Sequence, residues 1–60
     1  MQRGETYQDG TGRLFRVEKV NPLTVVVKEN GGTRLVNRWL LEQEINNGET
    51  KLRGKGKKER

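Results

Sequence analysis

Turn-forming residues recur so often along this chain that no helix or strand much longer than about a dozen residues fits between them. The turn signals are Asp-Gly-Thr-Gly, Asn-Pro, Asn-Gly-Gly and Asn-Asn-Gly, which occupy residues 9–12, 21–22, 30–32 and 46–48. Gly and Asn tolerate the backbone conformations of tight turns, and Pro cannot donate to a β-ladder. The chain therefore divides into five short segments.

Four of these segments have the composition of β-strands, because they are rich in β-branched residues or alternate apolar with polar side chains. The segment Thr24-Val25-Val26-Val27-Lys28 is β-branched at its first four positions, and we expect it to be the best-buried strand. The predicted strands are residues 6–8, 13–20, 24–28 and 33–36, and hairpin turns join the first to the second and the third to the fourth.

The second predicted strand has an irregular alternation. Phe15 and Val17 fall on one face, whereas Leu14 and Val20 share the parity of the charged residues on the other face. An extra residue in a strand reverses the parity of the side chains that follow it. The sequence therefore predicts a β-bulge or a strongly bent strand.

The segment after residue 37 has the period of a helix. Asn37 is a good N-cap, because its side-chain oxygen can accept from free N–H groups of the first turn. Leu41 and Ile45 lie four residues apart and form one apolar stripe. Asn47-Gly48 supplies the stop, so we predict one short helix over residues 38–46.

The end of the chain changes composition. Leu52 is the last apolar residue, and residues 49–53 are predicted to add a short fifth strand. Residues 54–60 contain no apolar side chain, so we expect a disordered, basic, Lys/Gly-rich tail. The expected organisation is one domain over residues 1–53 followed by this tail.

The Gly-x-x-Tyr opening at residues 4–7, a Gly-centred turn and one short helix near the end together resemble small SH3-like barrels. The resemblance covers most of residues 4–53. It implies a mainly β fold, a small SH3-like barrel of four to five antiparallel strands with one short helix. Barrels of this kind bind DNA, RNA, peptides or other subunits, so the resemblance implies a binding module without selecting its ligand.

The residue inventory excludes several kinds of protein. A chain of 60 residues without Cys or His has neither disulfides nor the usual transition-metal ligands, so we expect no metal and no cofactor. Without Ser as well, it lacks the ordinary nucleophiles, and we expect no enzymatic activity. The longest apolar stretch, residues 23–27, is far shorter than the roughly 20 residues of a membrane helix, and no apolar signal segment follows Met1. These features favour a cytoplasmic protein.

Charge is divided unevenly along the chain. Residues 1–50 contain seven basic and seven acidic residues, whereas residues 51–60 contain six basic residues and one acidic residue. Such a basic segment suits phosphate contacts, which favours nucleic acid as the partner. This hypothesis requires some of the body arginines to gather on one sheet face with their acidic neighbours turned away. The predicted nucleic-acid-binding residues are Arg13, Arg16, Arg34, Arg38, Lys51, Arg53, Lys55, Lys57 and Lys58.

Two other hypotheses compete with nucleic-acid binding. One is an adaptor or inhibitor of a host or subunit protein, of phage or mobile-element origin, that uses an exposed strand edge with Trp39 and Tyr7. The shortage of apolar volume favours instead a Trp39 that packs on Leu35 or Leu52, and the place of Tyr7 at the start of a strand favours a half-buried ring with an exposed hydroxyl. The other hypothesis is a homodimer that pairs edge strands, because a domain this small buries only about 60% of the surface of its unfolded chain.

Overall fold

The computed structural model describes residues 1–54, which form five strands and one helix. The elements are β1 (Thr6–Gln8), β2 (Leu14–Val20), β3 (Thr24–Glu29), β4 (Gly32–Asn37), α1 (Arg38–Asn46) and β5 (Lys51–Gly54). The mainly β fold class and the helix bounds are confirmed. The fifth strand begins later than predicted and takes in Gly54, which the sequence had assigned to the tail. The rest of the predicted disordered tail lies outside the described residues.

All five strands belong to one antiparallel sheet in the order β4-β3-β2-β1-β5. The short strand β1 is therefore interior to the sheet, between β2 and β5, although it is first in sequence. The arrangement is compatible with a small barrel-like fold. Strands β4 and β5 lie at the two ends of this order.

One face of the sheet carries the core. Alternate residues of the three inner strands point to it, and Leu41 of α1 covers them. The buried apolar residues are Tyr7, Phe15, Val17, Val25, Val27 and Leu41. We call this side the core face and the opposite side of the sheet the outer face.

The predicted irregularity in β2 is a bulge at Glu18. Val17 lies opposite Val27, but Lys19 lies opposite Val26, so β2 contains one residue more than β3 over this stretch. The extra residue returns Val20 to the core face, where it packs against the core. Leu14 precedes the bulge and stays exposed on the outer face.

Both predicted ends of the helix are confirmed. The Asn37 side-chain oxygen accepts a hydrogen bond from the Leu40 N–H at 3.0 Å. At the other end, Gly48 has a φ of 82° and its N–H donates to the Ile45 carbonyl at 3.1 Å. A positive φ is accessible to glycine without steric cost, so the chain can turn there toward β5.

Asn37→Ala is expected to lower the free energy of unfolding by about 1 kcal/mol, because the Leu40 N–H loses its acceptor. Urea unfolding followed by circular dichroism measures the change. Asn37→Asp serves as the control, since aspartate is an equally good cap and should keep most of the stability. Equal losses in the two variants would show that the cap is not what Asn37 contributes.

Candidate functional site

Basic side chains meet on the outer face of the sheet. Arg16 of β2 lies opposite Thr6 of β1 on one side and opposite Lys28 of β3 on the other. Thr33 of β4 lies opposite Lys28 and completes a row across four strands. Residues in register share a face, and the neighbouring valines are buried, so this row points to solvent.

Further cations flank the row. Lys19 lies opposite Val26, and Lys51 lies opposite Gln8, which places both on the outer face. Arg53 lines an open groove of about 410 Å³ together with Lys51 and Gln8. We call the surface that these cations form the basic face. Its cations are Arg16, Lys19, Lys28, Lys51 and Arg53.

Few carboxylates oppose this charge. The strands contain two, and Glu29 is on the core side, where it binds Arg34. Glu18 lies in the bulge and accepts from the Arg16 guanidinium at 3.1 and 3.2 Å. Within residues 1–54, no ion pair reaches the other four cations of the basic face.

The remaining acidic residues near the sheet lie around its margins, and Glu5, which directly precedes β1, accepts a hydrogen bond from the Tyr7 hydroxyl. Glu42 and Glu44 belong to α1, which packs on the core face. Asp9 and Glu49 border the groove that Lys51 and Arg53 line. The register of the strands therefore separates charge. The outer face carries an excess of cations, although residues 1–54 together contain nine basic and seven acidic residues.

Arg16 and Lys28 form a like-charged cross-strand pair. Their Cβ atoms lie about 5 Å apart in such a register, and like charges directly opposite each other destabilise a sheet. Glu18 partly offsets the charge of Arg16, but this ion pair is solvent-exposed and contributes at most about 1 kcal/mol. An anion bound between Arg16 and Lys28 would relieve their repulsion.

Two arginines that the sequence assigned to the binding surface lie elsewhere. Arg34 is opposite Val27, which puts it on the core side, and it donates to Glu29 at 2.9 Å. Arg38 begins α1 and donates to Glu42, one helical turn on, at 3.0 Å. Strand parity and helical spacing therefore give each of these two a carboxylate, so they do not join the cations of the outer face.

Arg13 lies in the turn between β1 and β2. Its backbone N–H donates to the Asp9 carboxylate at 3.0 Å, and the Thr11 hydroxyl donates to the same oxygen at 2.6 Å. The pKa of Asp9 is lowered, chiefly by the Thr11 hydroxyl and further by backbone N–H groups and the charge of Arg13. Arg13 is thus tied to the turn at one end of the sheet.

Sequence reasoning missed Lys19 and Lys28. Lys28 follows the buried Val27, so strict alternation alone places it on the outer face. Lys19 could be assigned only once the bulge had been located at Glu18. The predicted residues Lys55, Lys57 and Lys58 lie outside the described residues.

Trp39 is exposed. Its relative exposure is 64%, so the expectation that it packs on Leu35 or Leu52 as part of the core is wrong. Leu41, two residues further along α1, fills the position over the sheet instead. Trp39 lines an open groove of about 660 Å³ with Pro22 and Leu23, and Leu23 is 79% exposed.

Tyr7 is in the core. It is only 4% exposed, its ring stacks on Phe15 with 6.0 Å between centroids, and its hydroxyl donates to Glu5 at 2.7 Å. The predicted half-buried ring is therefore wrong. The reason is that β1 is flanked by two strands, so its inward side chain is covered. Tyr7 does not present a surface to a partner.

Titration of Tyr7 should be coupled to unfolding. Burial, with help from the Glu5 carboxylate, raises the pKa of Tyr7 to about 12. An unfolded chain loses this proton near pH 10, so the stabilisation is full below pH 10 and is lost as the pH rises toward 12. The expected loss is on the order of 2 kcal/mol. Tyrosinate absorbance reports it directly, because Tyr7 is the only tyrosine. A midpoint near pH 10 in a chain that stays folded would contradict the burial.

Comparison with protein-family models, curated proteins and solved structures found no match to this chain.

Residues 1–54 contain no cluster of three or more acidic, His or Cys side chains placed to hold a metal ion. No helix among them is long and apolar enough to cross a membrane.

Proposed function

We propose that the protein binds nucleic acid through phosphate contacts made by the basic face. The observation that carries the proposal is the exposed Arg16–Lys28 pair, which the fold holds side by side at an electrostatic cost. A phosphate between the two would gain charge-assisted hydrogen bonds from both and remove their repulsion. Lys19, Lys51 and Arg53 would extend the contact along the sheet.

The chemistry of the basic face favours contacts to the backbone of a nucleic acid over reading of its bases. Thr6, Thr33 and Gln8 supply neutral donors beside the cations, and such groups typically contact phosphate and sugar. No aromatic side chain lies in these strand registers on the outer face, so base stacking has no platform there. The proposed binding is therefore weakly selective for sequence.

The tail would extend the same surface. Lys55, Lys57 and Lys58 follow β5 directly in the sequence, next to Lys51 and Arg53. We propose that the domain is a non-catalytic, cytoplasmic SH3-like barrel. The pairing of the last strand with the first, and the helix that precedes the last strand, support the barrel.

Titration of labelled duplex and single-stranded oligonucleotides with the full chain, at low and near-physiological salt, tests the proposal. Affinity should fall linearly with salt on logarithmic axes, by about 0.9 in slope per phosphate contacted in a duplex. A version ending at Gly54 should bind more weakly with a shallower slope. The proposal would be overturned by an affinity that changes neither with salt nor with removal of the tail, or by the absence of binding at low salt.

The groove of Pro22, Leu23 and Trp39 supports a second candidate function, an adaptor or inhibitor that binds a host or subunit protein. Two large apolar side chains exposed side by side are typical of anchors in protein interfaces. Trp39 is the only tryptophan, so its fluorescence separates the two candidates. Oligonucleotide binding at the basic face should leave the emission unchanged, whereas a protein bound in the groove should shift it to shorter wavelength.

A further inference from the structure

The edge of the sheet at β4 is unprotected. β4 has six residues and pairs with β3 over six consecutive positions without a register shift. It contains no Lys, no Pro and no bulge, three features that commonly block the addition of another strand, and its one charged side chain, Arg34, is paired with Glu29. The opposite edge, β5, differs in three respects, since it has only four residues, carries Lys51 and Arg53, and is irregular in its pairing.

The direction of the free backbone groups follows from one hydrogen bond. The Arg38 N–H donates to the Leu23 carbonyl at 3.0 Å and continues the β3–β4 ladder. Hydrogen-bonded residues alternate along an antiparallel pair, so the backbone N–H and C=O groups of the even-numbered residues of β4 point toward β3. Thr33, Leu35 and Asn37 therefore direct their N–H groups toward the open side of the sheet.

We propose that β4 pairs antiparallel with β4 of a second copy of the chain, on a two-fold axis at Leu35. Leu35 would exchange two hydrogen bonds with Leu35 of the second copy. Thr33 would then lie opposite Asn37 of the second copy, whose free N–H points to the Thr33 carbonyl. An axis at Thr33 is worse, because it brings Leu35 opposite Gly31, which is in the turn at a φ of 94°.

Side chains on both faces of the edge fit a second copy. Leu35 is 64% exposed on the outer face, beside Val26, and the two-fold axis would cover it with its own counterpart. On the core side, Val36 would meet Arg34 of the second copy, whose aliphatic stem can pack on an apolar neighbour. Leu40 lines the same groove as Val36 and is itself exposed.

A second copy is favoured over an unrelated peptide because each group at the edge finds its match in the same strand. Leucine meets leucine, threonine meets asparagine, and the register satisfies the outward N–H groups. A domain of this size also gains more from added burial than a larger one does. The two outer faces would lie on the same side of one ten-stranded sheet. The inference rests on the β4 edge and not on nucleic-acid binding.

Cysteine cross-linking tests the register, because the chain has no cysteine of its own. In the proposed dimer, Leu35→Cys places two thiols directly opposite, with Cα atoms about 5.5 Å apart, a distance that suits a disulfide. We expect mild oxidation of the full chain to give a covalent dimer. Thr33→Cys alone should not cross-link, but a mixture of Thr33→Cys with Asn37→Cys should. The proposal would be overturned if the Leu35→Cys chain cross-linked no faster than the Thr33→Cys chain.

The mass in solution provides a test without cysteine. Sedimentation of the full chain should give a dimer at micromolar concentration. Leu35→Pro removes an outward N–H while keeping the ladder to β3, so it should raise the dissociation constant at least tenfold and leave cooperative unfolding intact. Leu35→Thr keeps the N–H and should weaken the dimer less. A full chain that is monomeric at these concentrations would overturn the proposal. It would also be overturned if the chain stayed monomeric and an extended peptide of another protein bound the β4 edge instead.

Discussion

Lys28→Glu is expected to lower the affinity of the full chain for an oligonucleotide at least tenfold at low salt and to leave the fold as stable as before, or slightly more stable. The loss of affinity arises because a central cation of the basic face becomes an anion that repels phosphate. The stability is kept because the new carboxylate would lie opposite Arg16 and replace a like-charged pair by an opposite-charged one. The slope of affinity against salt should become shallower by about one phosphate contact.

Arg34→Glu provides the matched control for this variant. It makes the same change in net charge, but Arg34 lies on the core side of the sheet and binds Glu29. If only net charge mattered, both variants would lose the same affinity for the oligonucleotide. That result would contradict a binding surface on the outer face. Fluorescence anisotropy gives the affinities, and thermal unfolding gives the stabilities.

Deleting Glu18 is expected to leave the protein folded, although a deletion inside a strand usually moves the following side chains to the wrong face. Glu18 is the unpaired residue of the bulge. Its removal would make Val17, Lys19 and Val20 consecutive, opposite Val27, Val26 and Val25, which is the register they already have. The β1–β2 pairs end at Arg16, and the backbone bonds of Val17 with Gly4 and Glu5 that continue them also precede the deleted residue.

Deleting Arg16 should have the opposite result. It shifts the parity between Phe15 and Val17, so one of these buried side chains must leave the core. Removing a large core side chain typically costs about 2–5 kcal/mol, which is comparable to the whole stability of a domain this small. Circular dichroism and amide hydrogen exchange would show an unfolded chain. If both deletions unfolded the protein, the fold would require the bend that the bulge gives to β2, and not only the side-chain parity that the bulge sets.

The sequence predicted most of the fold because its local signals agree. The parity of Val20 relative to Phe15 and Val17 indicated an irregular strand, and Asn37 and Gly48 delimited the helix correctly. The exposure of Trp39 was not predictable in this way, because it depends on which helical face meets the sheet and on how much volume Leu41 already fills. Burial of Tyr7 likewise depends on β5, a strand distant in sequence that covers β1.

The candidate site was less predictable than the fold. Which cations share a face depends on the register between strands. Arg34 lies opposite Val27 on the core side, whereas Lys28 lies opposite Thr33 on the outer face, and a register shifted by one residue would place both on the same face. Lys19 depends on the bulge as well. The charge division along the chain identified the basic end of the sequence, but it could not show that the neutral body separates its charges between two sides.

The position of β1 between β2 and β5 has a consequence for the order of folding. The β3–β4 hairpin joins residues close in sequence and can form within microseconds, whereas the β1–β5 pairing must close a loop of more than 40 residues. Non-local pairings of this kind slow folding. We therefore expect the hairpin to belong to the transition state and the β1–β5 ladder to complete after it. Substitutions in the hairpin should then slow folding, whereas substitutions in β5 should mainly speed unfolding.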